Sequence, residues 1–240
     1  MNSSRARDAP WQWRMPGRWQ PGHLPLAPAR KPTSRRVAGI SWSLYAQVRI
    51  VGKQIARLLT SGNYQGPGET VLLQGSGGVS LFALQLAVAH GARVLVTSRS
   101  PGKVARLKQL GAAEVINTSV NPAWDEVVLR LTDGRGADHI LDVIRGDAVP
   151  RSIETAAWRG HIAVIGFMDR SATTISIPNV MVKNLRLQGV SHGSRADMEE
   201  SLAFVEKHRI PPIIDARYPF GALRDALDHG PFGKLVVEIN

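Results

Sequence analysis

The residues whose types and spacing point most directly to chemistry are Gly75-Ser76-Gly77-Gly78-Val79-Ser80. An apolar run, Thr70-Val71-Leu72-Leu73-Gln74, leads into them, and behind them Val79, Phe82, Ala83, Leu86 and Ala87 fall on one helical face. A strand, a glycine turn and a helix start in that order can hold an anion. Gly75 takes the tight turn, and Gly77 lets the backbone approach with no Cβ in the way. The helix start offers unpaired N–H groups and the positive end of its dipole. The chemistry this implies is recognition of a dinucleotide pyrophosphate. Ser80 stands where the third glycine of G-x-G-x-x-G would be, and it is small enough for close helix–strand packing. The competing reading is a tight turn with no ligand; the flanking strand and helix weigh against it.

The next informative stretch is the end of the second strand, Val94-Leu95-Val96-Thr97-Ser98-Arg99-Ser100. A free ribose 2′-OH is held by an Asp or Glu about 20 residues past the glycines. No acid is present there. Ser98, Ser100, the guanidinium of Arg99 and the ammonium of Lys103 stand in its place, which suits a 2′-phosphate and hence NADP(H). A solvated loop with ordinary surface cations is the alternative. At the end of the fifth strand, the backbone of Gly166 and Phe167 is expected to face the nicotinamide end. Arg195, beside Ser194, is placed to reach a phosphate or carboxamide, or is a surface arginine at a helix start.

Other chemistries find little support. The chain has no cysteine, which removes disulfides, thiol nucleophiles and thiolate zinc sites. His90, His139, His161, His192, His208 and His229 show no metal-ligand spacing, so no zinc is expected. None of Tyr45, Tyr64 and Tyr218 has a lysine four residues on, and there is no Gly-x-Ser-x-Gly elbow. No catalytic residue is assigned.

The elements that must position these residues alternate. Short apolar runs at 70–74, 93–97, 113–116, 139–144 and 161–165 read as strands buried on both faces. Helical patterns separate them at 79–90 and at about 102–110, 123–132 and 147–157. That order predicts an α/β fold, a Rossmann doubly wound parallel sheet of about six strands, with 185–190 as the edge strand and a helix over 196–208. Beyond it, an extended segment 213–220, a short helix 222–228 and a closing strand 234–239 read as a strand-helix-strand remnant of a second domain. The predicted domain limits are 67–212 for the cofactor domain and 213–240 for that remnant.

Residues 37–66 read as a helical lead-in. Residues 1–36 carry eight Lys and Arg, one acid and six prolines, with Trp11, Trp13 and Trp19 among them. They read as a disordered basic leader. A nucleic-acid arm, a transit peptide and an unselected leader from a wrong start all fit it. The formal net charge of the chain is +11. Most of it sits in that leader, so the folded part is only mildly basic and nucleic acid is not an expected partner. No run of 18 apolar residues and no secretory core is visible, so a cytoplasmic protein with no membrane partner is expected.

In order, Pro67-Gly68-Glu69-Thr70-Val71-Leu72, the glycine turn, Leu110-Gly111-Ala112, Gly134-Arg135-Gly136-Ala137-Asp138, Gly160-His161-Ile162 and Gly233-Lys234-Leu235-Val236 resemble the medium-chain dehydrogenase/reductase superfamily. The resemblance is to its zinc-type alcohol dehydrogenase and quinone oxidoreductase-like members, and it covers about residues 50–240. It implies hydride transfer between NADPH and a carbonyl, alcohol or quinone-type substrate. It also implies a homodimer through the edge strand 185–190. The superfamily's N-terminal catalytic domain has no counterpart in the first 50 residues, so a shortened, weakly active enzyme is expected. Asp142-Val143-Ile144-Arg145-Gly146 departs from the glycine pair that many relatives carry after strand four. A non-catalytic NADPH-binding remnant or regulatory module is the alternative.

Overall fold

A computed structural model describes residues 68–144, 146–166, 172–190 and 195–239, with the backbone alone at residue 195. The expectations for the leader 1–36 and the lead-in 37–66 lie outside the described residues.

Strands β1 (Thr70–Gln74), β2 (Arg93–Ser98), β3 (Glu114–Asn117), β4 (Ala137–Asp142), β5 (Ala156–Val164) and β6 (Arg186–Gly189) form one sheet, in the order β3-β2-β1-β4-β5-β6. Every pairing is parallel. Helices cover both faces. On one lie α1 (Gly78–Ala89), α2 (Val104–Gln109) and α6 (Arg195–Lys207); on the other lie α3 (Trp124–Leu131), α4 (Ala148–Thr155) and α5 (Ile177–Val182).

Alternate residues of the strands feed two cores. Val71, Leu73, Val94 and Val96 pack with Leu81, Phe82 and Leu84 of α1. Leu72, Leu95, Ile140 and Ile162 pack with Val128 of α3 and Ile153 of α4. Two covered faces explain why all five residues of β1 are buried and why its sequence shows no alternation.

Helix α1 ends where Gly91 takes φ +81°, a left-handed conformation that an L side chain rarely adopts. The N–H of Ala92 reaches back to the Ala87 carbonyl at 3.0 Å and closes the turn. At the end of α2, Gly111 has φ +99°, and a Cβ there would sit 2.9 Å from Val88 Cγ2.

The fifth strand departs from the pattern reading. It begins at Ala156, five residues before the expected start, and is irregular between the pairs Ala137↔Ala156 and His139↔His161. Within that irregularity Arg159 has φ +62°. The helix before it stops at Thr155 because Lys183 takes over the carbonyls that would continue it. Its Nζ donates to Ile153 O (3.2 Å), Glu154 O (2.7 Å) and Ala156 O (3.2 Å), and the Arg159 N–H donates to the Lys183 carbonyl. Helix α5 was not foreseen. Ser176 caps it by accepting from the Asn179 N–H, with Pro178 in the first turn, a start signal that stands in the sequence.

The remaining elements match the expectation. β7 (Ile214–Pro219), α7 (Leu223–Asp228) and β8 (Lys234–Glu238) form a separate two-stranded parallel sheet with its helix. Among the described residues, no helix is long and apolar enough to cross a membrane.

Candidate cofactor site

The site is built from the C-terminal ends of β1, β2, β4 and β5. The sheet order reverses between β1 and β4, and in such folds a ligand lies across that crevice, outside the carboxyl ends of the strands. Gly75 leaves β1 with φ +78°, and its N–H donates to the Thr97 carbonyl of β2 at 2.7 Å. Gly77 is the N-cap of α1, with φ −78° and ψ 174°. Any residue can adopt that conformation, and a Cβ built on Gly77 would meet no atom within 4 Å. Neither backbone nor packing requires glycine there, so the open space in front of it suits a group that must come close to the main chain.

The first intrahelical bond of α1 runs from the Leu81 N–H to the Gly77 carbonyl, so the amides of Gly78, Val79 and Ser80 ahead of it have no acceptor within the helix. No side chain caps this end, and no acid occupies the first turn to compete with an anion. Ser80 is buried, and its hydroxyl donates to the Gln74 carbonyl at 2.6 Å. The serine in the third-glycine position thus fastens the helix to the strand.

Sequence reasoning missed a polar network beneath the turn. Gln74 Nε2 donates to Asp142 Oδ2 (3.3 Å) and Ser152 Oγ (3.1 Å), and Ser152 Oγ donates to Asp142 Oδ2 (2.9 Å). All three residues are buried. They tie the end of β1 to the end of β4 and to α4, across the point where the strand order reverses. The sequence shows only that each of two buried apolar strands ends in one polar residue; that these meet is set by contacts 68 and 78 positions apart.

Ser98 is buried at the end of β2, and its hydroxyl accepts from the Ser100 N–H at 3.3 Å. Arg99 is exposed, and its head group makes no hydrogen bond or ion pair with any other described residue. Lys103 is already engaged: its Nζ donates to Pro231 O at 3.0 Å and Gly230 O at 3.4 Å.

Gly166 follows β5, with its N–H on the Asp142 carbonyl at 3.2 Å. A Cβ there would lie 1.9 Å from Val143 O, so the approach of the backbone just past β4 is by itself enough to require glycine. Phe167 and Ser194 lie outside the described residues. Arg195 begins α6, and only its backbone is described. The structure thus brings together Gly75, Ser76, Gly77, Gly78, Val79, Ser98 and Arg99 at the ends of β1 and β2, with Gly166 two strands away.

Two groups scattered in sequence meet in space. Tyr218 Oη lies 3.0 Å from His229 Nδ1, and His229 Nε2 lies 3.1 Å from Asp215 Oδ2. Asp215 also accepts the Phe232 N–H (2.8 Å) and an Arg106 N–H (2.8 Å). The backbone donor of Phe232, then His229 and Arg106, hold its carboxyl well below the usual carboxylate range. The chain Tyr-His-Asp has the order of a proton relay, and Arg106 of α2, the helix that follows β2, holds its Asp215 end. The second group is His139 and His161, neighbours on β4 and β5 with ring centroids 6.4 Å apart; Glu69 lies 2.9 Å from His139 Nε2.

These features define a doubly wound domain of the Rossmann type with a glycine turn at its first helix. More particularly, the chain belongs to the zinc-binding dehydrogenase family, whose pattern matches residues 78–207. It is 36% identical over 182 residues to a zinc-type alcohol dehydrogenase-like protein of Schizosaccharomyces pombe, covering 72% of this chain and 53% of that one. It is 29% identical to a mouse quinone oxidoreductase over 184 residues, 71% of this chain and 55% of the relative. Among solved structures, a putative alcohol dehydrogenase from Sinorhizobium meliloti superposes with a TM-score of 0.73 at 37% identity, over 80% of this chain and 57% of that one. The chain spans about half the length of the curated relatives it matches. The family's name implies zinc. The sequence has no cysteine to supply a thiolate, and among the described residues no group of three or more His, Asp or Glu gathers.

Proposed function

We propose that this chain holds NADP(H) across the ends of β1, β2, β4 and β5 and is the cofactor-binding part of an oxidoreductase. In this reading the Gly75–Val79 turn takes the pyrophosphate on the free amides of α1. Ser98 and Arg99 take the ribose 2′-phosphate. Gly166 borders the nicotinamide half. A nicotinamide held there would supply hydride exchange with a carbonyl, alcohol or quinone-type substrate. The chain's own residues bind and orient it, and zinc has no part in this reading.

The observation that carries the proposal is Gly77, a glycine that neither conformation nor packing explains. Gly77→Ser tests it. Serine is a good N-cap, so Tm should hold or rise slightly. NADPH affinity should fall at least about tenfold, because the new side chain fills the space the pyrophosphate needs. Unchanged NADPH affinity in a folded Gly77→Ser protein would refute the placement.

A further inference from the structure

Segments far apart in sequence converge on the C-terminal turn 229–233. Lys103 Nζ donates to the carbonyls of Pro231 and Gly230. One turn on, the Arg106 guanidinium pairs with Asp215 and lies 4.0 Å over the Phe232 ring. Asp215 accepts the Phe232 N–H, and Phe232 is buried in the same core as α1. The next residue, Gly233, has φ +92°; a Cβ on it would lie 2.6 Å from Ile213 O. Gly233 pairs with Gly77 in an isolated parallel bridge. A continuous path of contacts therefore runs from the Lys103 ammonium, through the turn, to the backbone of the glycine motif.

We propose that Lys103 is a positioning residue for the dinucleotide site: it clasps the turn 230–233 and, through the Gly233–Gly77 bridge, holds the glycine turn in its binding shape. This rests on the reading of the glycine turn as the pyrophosphate site. It reverses the role the sequence suggested. An ammonium that met a 2′-phosphate directly would matter to NADPH and leave NADH untouched. An ammonium that fastens the turn matters to both cofactors equally, because both carry the pyrophosphate. Lys103 thereby couples the C-terminal segment to cofactor affinity, while discrimination rests on Arg99.

Two measurements on the full chain decide this, using Lys103→Ala and Lys103→Arg. The first is hydrogen exchange without cofactor. Lys103→Ala should speed exchange in peptides covering 229–234 and 75–81, and Lys103→Arg, which can still donate to both carbonyls, should restore protection. Unchanged exchange in either peptide of Lys103→Ala would overturn the clasp. The second is calorimetric titration with NADPH and with NADH. Lys103→Ala should weaken both by the same factor, roughly three- to tenfold for one or two partly exposed carbonyl contacts. A loss confined to NADPH would overturn the proposal and return Lys103 to the phosphate. If the unmodified chain binds neither cofactor, the functional reading fails, and the exchange result alone still decides whether the clasp exists.

Discussion

Arg99 carries the choice of cofactor in this account. It is exposed at the end of β2, with a buried serine beside it and no carboxylate from 97 to 100. A 2′-phosphate there gains charge-assisted contacts, while a bare ribose finds no carboxylate to accept its 2′-OH. Arg99→Ala should cost NADPH binding about 1–3 kcal/mol and leave NADH binding nearly unchanged, as measured by calorimetry. Equal losses would take the phosphate away from this loop.

A second prediction at this scale concerns His161. Burial, then His139 and Arg186, push its pKa down from 6.5 to about 4, against a hydrogen bond with Gln188 that raises it. The unfolded chain therefore takes up this proton first as pH falls. The neutral ring's contribution to stability is complete above about pH 6.5 and is lost between there and pH 4, on the order of 3 kcal/mol. Urea midpoints should drop across that window, and His161→Asn should flatten the drop. An equal drop in both proteins would place the titration elsewhere.

The edge strand β6 shows what an element contributes. Its outer edge pairs with no described strand. Nearby, α5 exposes Ile177, Met181 and Val182. An open parallel-sheet edge beside apolar side chains invites pairing with another chain. We propose that two copies join through 185–190. Leu187→Pro, which removes a backbone donor and stiffens the edge, should turn a dimer into a monomer by light scattering at micromolar concentration. A monomeric mass for the unmodified protein would contradict this.

Elements also show where sequence reading succeeds and stops. β1, β2 and α1 were legible because burial on both faces leaves continuous apolar runs between glycine turns, and Gly91 and Gly111 mark helix ends by conformation. The start of β5 was not, because Lys183, almost thirty residues later, caps α4 and fixes where the strand begins. The Gln74–Asp142–Ser152 network and the occupied ammonium of Lys103 escaped for the same reason. Each depends on contacts between residues tens to more than a hundred positions apart, which local periodicity does not record. Gly77 was legible as a binding glycine only in type. That it is free of any structural demand is a finding of the fold.

At the scale of the whole molecule, the six-stranded sheet and the small β7–β8 sheet meet at the glycine turn itself, through Gly77 and Gly233. The C-terminal segment therefore supports the glycine turn. The chain spans about half the length of the curated relatives named above, and the glycine turn and the strand ends around it lie among the described residues. Cofactor binding by this chain can be measured directly. Calorimetric titration of the unmodified 240-residue protein with NADPH and with NADH is that measurement. One saturable NADPH site per chain is expected, with NADH binding at least about tenfold more weakly. No saturable binding of either would contradict the site itself, and equal affinity would contradict the 2′-phosphate at Arg99.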